Sequence, residues 1–132
     1  MNSNEFPQGF LWGAATSSHQ IEGGNAANDW WEWEQAGKTT DKSGRACGSF
    51  ERYEEDFDLA KSLGHTAHRF SIEWSRVQPE ENRWDEDAIG HYRRVVKALK
   101  DRGLEPVVTL HHFTLPTWFS RLGGWEHPKA AD

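Results

Sequence analysis

The sequence predicts an α/β fold, a parallel sheet whose strands are joined by amphipathic helices, arranged as the first three βα units of a (β/α)8 TIM barrel. Three observations lead there. Two helix-length stretches carry apolar residues at a spacing of three and four, the mark of one buried helix face. Runs rich in β-branched and aromatic residues stand before, between and after those stretches, and this alternation implies parallel strands with right-handed crossovers. The second and third runs lie about 40 residues apart, an ordinary unit period for a barrel.

The first strand is read at residues 10–16 (F-L-W-G-A-A-T), a short apolar run ending in small residues and expected to be buried. Residues 23–49 follow as a long excursion rich in Gly, Asn, Asp, Ser and Lys, with W-W-E-W-E inside it and a helical turn expected at 29–35. Loops beyond about 12–15 residues are usually functional or disordered, and the embedded tryptophans favour function. The first long helix is placed over 50–63, with Phe50, Tyr53, Phe57, Ala60 and Leu63 on one face and Gly64 as its C′ residue.

Residues 65–72 (H-T-A-H-R-F-S-I) read as the second strand, although His68 and Arg69 lie within it. A loop with Pro79, Glu80, Glu81 and Asn82 leads to the second long helix over 86–102. Its apolar face is Ala88/Ile89, Tyr92, Val95/Val96 and Leu99, and Gly103 stops it. Residues 106–112 (P-V-V-T-L-H-H) are a near-continuous apolar run, expected to be a strand buried on both faces. Residues 113–124 are read as a loop, and Glu126 with Pro128 as the opening of a third helix. A doubly wound open sheet is the competing parallel architecture, but it requires a Gly-rich phosphate turn after the first strand. Gly23-Gly24-Asn25 is not such a turn and opens no helix directly.

Composition narrows the function classes. The 132 residues carry 27% charged side chains and a formal net charge of −6. Lys and Arg are scattered, often beside acidic residues, so no basic stripe is present and no nucleic-acid partner is expected. No run approaches the roughly 18 apolar residues of a membrane span, and M-N-S-N-E-F-P-Q-G-F shows no secretory pattern. Cys47 is the single cysteine, which fits a reducing compartment; no membrane partner and a cytoplasmic location are the expectations. Histidines three apart on a strand, as His65 and His68 are, face opposite sides. Zinc needs three or four convergent ligands, so no metal and no cofactor is expected. Eight tryptophans offer flat faces that can stack on sugar rings or fill a core; those of residues 30–33 either line a pocket mouth or pack on the barrel rim.

In a barrel the working residues sit at the carboxyl ends of the strands and in the loops that follow. That rule selects Ser17, Ser18, His19, Gln20 and Glu22 after the first strand. It selects Arg69, Glu73 and Arg76 in and after the second, and His111, His112 and Phe113 at the end of the third. Amides and imidazoles bond hydroxyls while rings cover apolar C–H faces, so this mixture suits a neutral polyhydroxylated ligand.

Three segments resemble the amino-terminal signatures of family-1 glycoside hydrolases, the β-glucosidases, β-galactosidases, 6-phospho-β-glycosidases and their relatives. They are F-L-W-G-A-A-T-S-S-H-Q-I-E-G (10–23), H-R-F-S-I-E-W-S-R-V (68–77) and P-V-V-T-L-H-H-F-T-L-P-T-W (106–118) with G-G-W (123–125). The resemblance keeps the family's order and spacing and runs from Phe6 onward. It implies that residues 1–132 are the amino-terminal part of a single barrel domain, incomplete as given. It also implies a retaining β-glycosidase that hydrolyses O-glycosidic bonds of a β-glycoside or oligosaccharide substrate. Carried over position by position, Gln20 holds two hydroxyls of the non-reducing sugar and His112 bonds a sugar hydroxyl. Arg69 pairs with the nucleophilic carboxylate at the pocket floor, where a cation keeps that carboxylate ionised. Phe113 stands where many members have tryptophan, which removes a ring N–H donor to the sugar. Ser49-Phe50-Glu51 stands where members often show Asp-His-Tyr.

Retaining enzymes of this kind use two carboxyl groups about 5 Å apart. The family draws them from an N-E-P motif after strand four and an E-N-G motif after strand seven, and neither motif occurs in residues 1–132. Glu81-Asn82-Arg83 lacks the glycine and is read as a surface loop. Glu73 is either a stand-in carboxylate or, the preferred reading, a structural one. The chain alone is therefore expected to be inactive, to require the remainder of the barrel, and to fold poorly or self-associate. Two competing readings are a non-catalytic carbohydrate-binding fragment and a functionless translation product. Binding modules are usually all-β, against the helices predicted here.

Overall fold

A computed structural model describes residues 5–128 and 130 of the chain. Three strands, β1 (Gly13–Ala15), β2 (Ala67–Ser71) and β3 (Glu105–Thr109), form one parallel sheet in sequence order. Ala15 stands opposite Arg69, and Arg69 opposite Val107. The helices in chain order are α1 (Ser18–Ile21), α2 (Asp29–Gln35), α3 (Ser49–Ser62), α4 (Trp74–Val77), α5 (Glu86–Asp101) and α6 (Thr117–Arg121), followed by a 3-10 turn at Gly124–Glu126. The chain thus holds the first βα units of a barrel. Among the described residues no helix is long and apolar enough to cross a membrane.

The two long helices follow from their periodicity. Phe57 and Ala60 of α3 meet Tyr92, Val95, Ala98 and Leu99 of α5 over Phe70 and Leu104, the one buried apolar cluster of the described residues. Both helices end as their glycines dictate. Gly64 and Gly103 take φ of 82° and 65°, and in each case the next two N–H groups turn back onto the last carbonyls: Gly64 to Lys61 and His65 to Ala60, Gly103 to Lys100 and Leu104 to Leu99. Leu63, expected on the buried face of α3, is 69% exposed instead, because it is the C-cap residue where the helical stripe has already turned away.

Period-two alternation divides β2. His68 and Phe70 face the helices, His68 with its ring 5.2 Å from that of Phe57. Arg69 and Ser71 point to the opposite face, the inside of the sheet's curve.

Three further expectations need correction. The first strand is only three residues long and exposed, as are Phe10, Leu11 and Trp12 before it. The third strand is not buried on both faces: Val107 and Val108 are 43% and 40% exposed and Leu110 is 74% exposed. Both strands are edges of a three-stranded sheet, so apolarity alone did not cover them. The segment 113–124 contains α6, because Pro116 opens the turn and Phe119 buries between the rings of Trp74 and Trp125. The helix expected from Glu126 falls partly outside the described residues; Glu126 itself closes the 3-10 turn.

Candidate functional site

Arg69 organises the inner face at the carboxyl ends of the strands. Its Nε donates to Thr109 Oγ1 at 2.7 Å and Nη1 to the Thr16 carbonyl at 2.8 Å, while Nη2 lies 2.9 Å from His112 Nδ1. A guanidinium only donates, so His112 Nδ1 must accept and the imidazole carries its proton on Nε2. Burial first, then the Arg69 and His111 charges, hold the His112 pKa below its ordinary value, which favours the same neutral ring. His112 therefore presents one N–H donor, fixed in direction by the arginine behind it. Three of the five guanidinium N–H groups are used, which leaves two for a further acceptor. Among the described residues Arg69 makes no ion pair; the acceptors it meets are neutral.

Gln20 lies on α1 and is exposed. Its Oε1 accepts the Ser17 hydroxyl, which orients the amide and leaves its NH2 turned to other partners. Phe113 is 74% exposed, its ring 5.0 Å from that of His112. Its φ is 67°, and the Thr114 N–H returns to the His112 carbonyl at 2.9 Å around it. That is a γ-turn of the rare left-handed kind, which costs a bulky residue on the order of 1–3 kcal/mol. The structure thus brings Arg69 and His112 into direct contact with Phe113 beside them, and sets Gln20 on the turn after the first strand without a hydrogen bond to that pair.

Beneath these groups lies a buried polar layer. Glu73 is 0% exposed and receives Ser18 Oγ at 2.9 Å, Ser75 Oγ at 2.8 Å, Asn28 Nδ2 at 3.3 Å and Thr114 Oγ1 at 3.1 Å. Asn28, also fully buried, caps α2 through Oδ1 and spends its NH2 on Glu73 and on His19 Nδ1. His19 must then donate from Nε2 to Glu34, at 2.9 Å. Burial raises the Glu34 pKa, but the hydrogen bonds from His19 and Ser43 outweigh it and the net shift is downward. Glu22 differs: burial lifts its pKa above the ordinary range against the opposing pull of Tyr92 and Arg76. It accepts from Tyr92 at 2.8 Å and pairs with Arg76 at 3.0 Å. Glu73 is saturated by hydroxyl and amide donors and enclosed, the structural reading preferred above. Glu81-Asn82-Arg83 is an exposed turn, with Asn82 at φ 62°.

Asn28, Glu34 and Thr114 escaped the sequence reading. Asn28 carried a legible signal, an N-cap type immediately before the helical turn of residues 29–35. Thr114 and Glu34 carried none, since their partners are distant in sequence. Among the described residues no three His, Cys, Asp or Glu side chains converge as a metal site. An apolar concavity of about 650 Å³, lined by Trp74, Trp84, Val96, Leu110 and Trp125, touches none of Gln20, Arg69, His112 or Phe113.

The three inner-face segments that build this polar end are the parts of the chain on which the family resemblance rested, and the match extends past them. The model of glycosyl hydrolase family 1 matches residues 2–132. The chain belongs to glycosyl hydrolase family 1. Within that family it is 37% identical to β-glucosidase A of Thermotoga maritima over 100% of this chain and 32% of the relative. It is 38% identical to the cytosolic β-glucosidase of Homo sapiens over 91% of this chain and 28% of that protein. Among solved structures, the β-glycosidase from Pyrococcus horikoshii is 57% identical with a TM-score of 0.86, covering 90% of this chain and 28% of the other. This family 1 chain therefore spans about a third or less of the relatives it matches, the part that carries Gln20, Arg69 and His112.

Proposed function

We propose that this chain is the sugar-holding part of a retaining β-glycosidase that hydrolyses O-glycosidic bonds of β-glucoside-like substrates, and that it is inactive without the rest of the barrel. The observation that carries this reading is the Arg69–His112 contact, which leaves His112 one neutral N–H donor and Arg69 two unused guanidinium N–H groups at the carboxyl ends of the strands. A carboxylate there, supplied by a later strand, is held ionised beside the cation and accepts those two donors. A second carboxyl group about 5 Å from it completes the retaining geometry. Gln20 and His112 then bind sugar hydroxyls, and the exposed ring of Phe113 covers part of a C–H face. Cys47 is exposed and free, which supports work in a reducing compartment such as the cytoplasm.

The test is a chimaera in which residues 1–132 replace the matching segment of Thermotoga maritima β-glucosidase A. The expected result is hydrolysis of an aryl β-glucoside by the chimaera and none by the chain alone. Gln20→Ala in the chimaera removes hydrogen bonds to two hydroxyls and lowers kcat/KM about 30- to 150-fold, on roughly 1–1.5 kcal/mol per bond. A folded chimaera without activity, or turnover by the chain alone, overturns the reading.

A further inference from the structure

We propose that Glu73 is a positioning residue: one buried carboxylate fixes Gln20 and His112 relative to each other. This deepens the sugar-holding reading and rests on it. The donors that converge on Glu73 come from the chain just after each of the three strands. Ser18 follows β1, Ser75 follows β2 and Thr114 follows β3, with Asn28 joining from the start of α2. Ser18 lies two residues before Gln20 in α1, and Thr114 two residues after His112. Arg69 also links the three strand ends, through the Thr16 carbonyl and the Thr109 hydroxyl, and Glu73 is a second, fully buried tie among them.

The chemistry of the donors requires an acceptor-only group at the centre. The Ser18 hydroxyl already accepts from Ser71 Oγ at 3.1 Å, so its own proton goes to Glu73. The Asn28 NH2 can only donate. A carboxylate satisfies every partner; an amide places an NH2 against Asn28 or against a hydroxyl that is already committed. The third strand end also needs holding. Phe113 sits in a strained left-handed turn, and such a turn persists only where its flanks are pinned. Arg69 pins the His112 side and Glu73 the Thr114 side. Releasing Thr114 lets the turn relax and carries the His112 imidazole with it, and a misplacement of about 1 Å costs on the order of 100-fold in rate.

The closing experiment uses the chimaera and a double-mutant cycle. Glu73→Gln and Thr114→Val each lower kcat/KM for an aryl β-glucoside by about tenfold or more at equal folded fraction, and Thr114→Ser, which keeps the hydroxyl, stays within about twofold of the parent. Glu73→Gln costs measurably less in the Gln20→Ala background than in the parent, because the Gln20 part of what it positions is already gone while the His112 part remains. Where Glu73→Gln fails to fold, the contrast between Thr114→Val and Thr114→Ser decides alone. Equal losses in both backgrounds, or unchanged kcat/KM in folded Thr114→Val, overturn the proposal, since a purely structural carboxylate moves stability and not the coupling. A folded but inactive parent chimaera overturns the sugar-holding reading and this inference together; an active one whose rate ignores Glu73 and Thr114 overturns this inference alone.

Discussion

His91 is 7% exposed, stacked on Phe50 at 3.8 Å and met edge-on by Tyr53 at 5.3 Å. Burial, then the charges of Arg94 and Arg76, push its pKa from 6.5 down to about 4. The folded state therefore binds fewer protons than the unfolded state between those values, so its contribution to stability is complete above about pH 6.5 and is lost as pH falls toward 4. The gap corresponds to on the order of 3 kcal/mol. Urea midpoints of the chimaera at pH 7 and pH 5 should drop less in His91→Phe, which keeps the stacked ring, than in the parent; equal drops would show that His91 is not a source of the acid sensitivity. At this scale the motifs single out Arg69 and His112, which the structure brings into contact. The sequence is silent for Thr114, whose hydroxyl reaches Glu73 from 41 residues away, because a hydroxyl in a loop has no pattern until the fold brings an acceptor to it.

Helix α5 begins at a cap that can be tested apart from the site. Asp85 Oδ1 accepts the Ala88 N–H at 2.9 Å, and Glu86 and Asp87 add negative charge to the first turn. Asp85→Ala should cost about 1 kcal/mol in a urea melt of the chimaera, and Asp85→Asn should keep most of it, since either side chain offers the oxygen; equal losses would mean that charge rather than capping acts here. Strand β1 depends on its glycine in a different way. A Cβ on Gly13 would stand 2.2 Å from the Ala67 carbonyl oxygen, so Gly13→Ala must part β1 from β2. The two long helices were legible because their 3–4 periodicity is a property of the element alone, and the glycine stops were legible for the same reason. Strand burial was not. Whether Val107 and Val108 are covered depends on neighbouring layers, which the hydrophobicity of a strand does not report. Helix α6 was missed because five residues are too few to show a period, and what holds it is the burial of Phe119 against Trp74 and Trp125, with the exposed Arg121–Glu32 pair adding little.

At the scale of the molecule, the three strands form an open sheet with one helix layer. The barrel period read from residues 65–112 predicts this topology, and family membership agrees with it. What an open sheet does in water follows from its edges. β3 presents one unpaired backbone row, and unpaired edges recruit other strands. Val107 and Val108 expose apolar side chains on its two faces, and beyond its end a concavity of about 650 Å³ beside α5 is walled by tryptophan, isoleucine and valine side chains and by Leu110. Phe6, Phe10 and Trp12 add a second apolar cluster at the other edge, with ring centroids 4.5–4.7 Å apart. Apolar patches beyond a few hundred Å² are rare on stable monomers. The helix–strand core holds few buried side chains against that exposure. The 132-residue chain by itself should therefore self-associate, or melt broadly, while the chimaera that covers both edges melts sharply as one species. Sedimentation velocity at several concentrations together with thermal unfolding by circular dichroism checks this. A concentration-independent monomer of the chain alone with a steep, cooperative transition would show that one sheet layer and two long helices suffice, and would remove the physical reason for expecting the rest of the barrel to be required for folding.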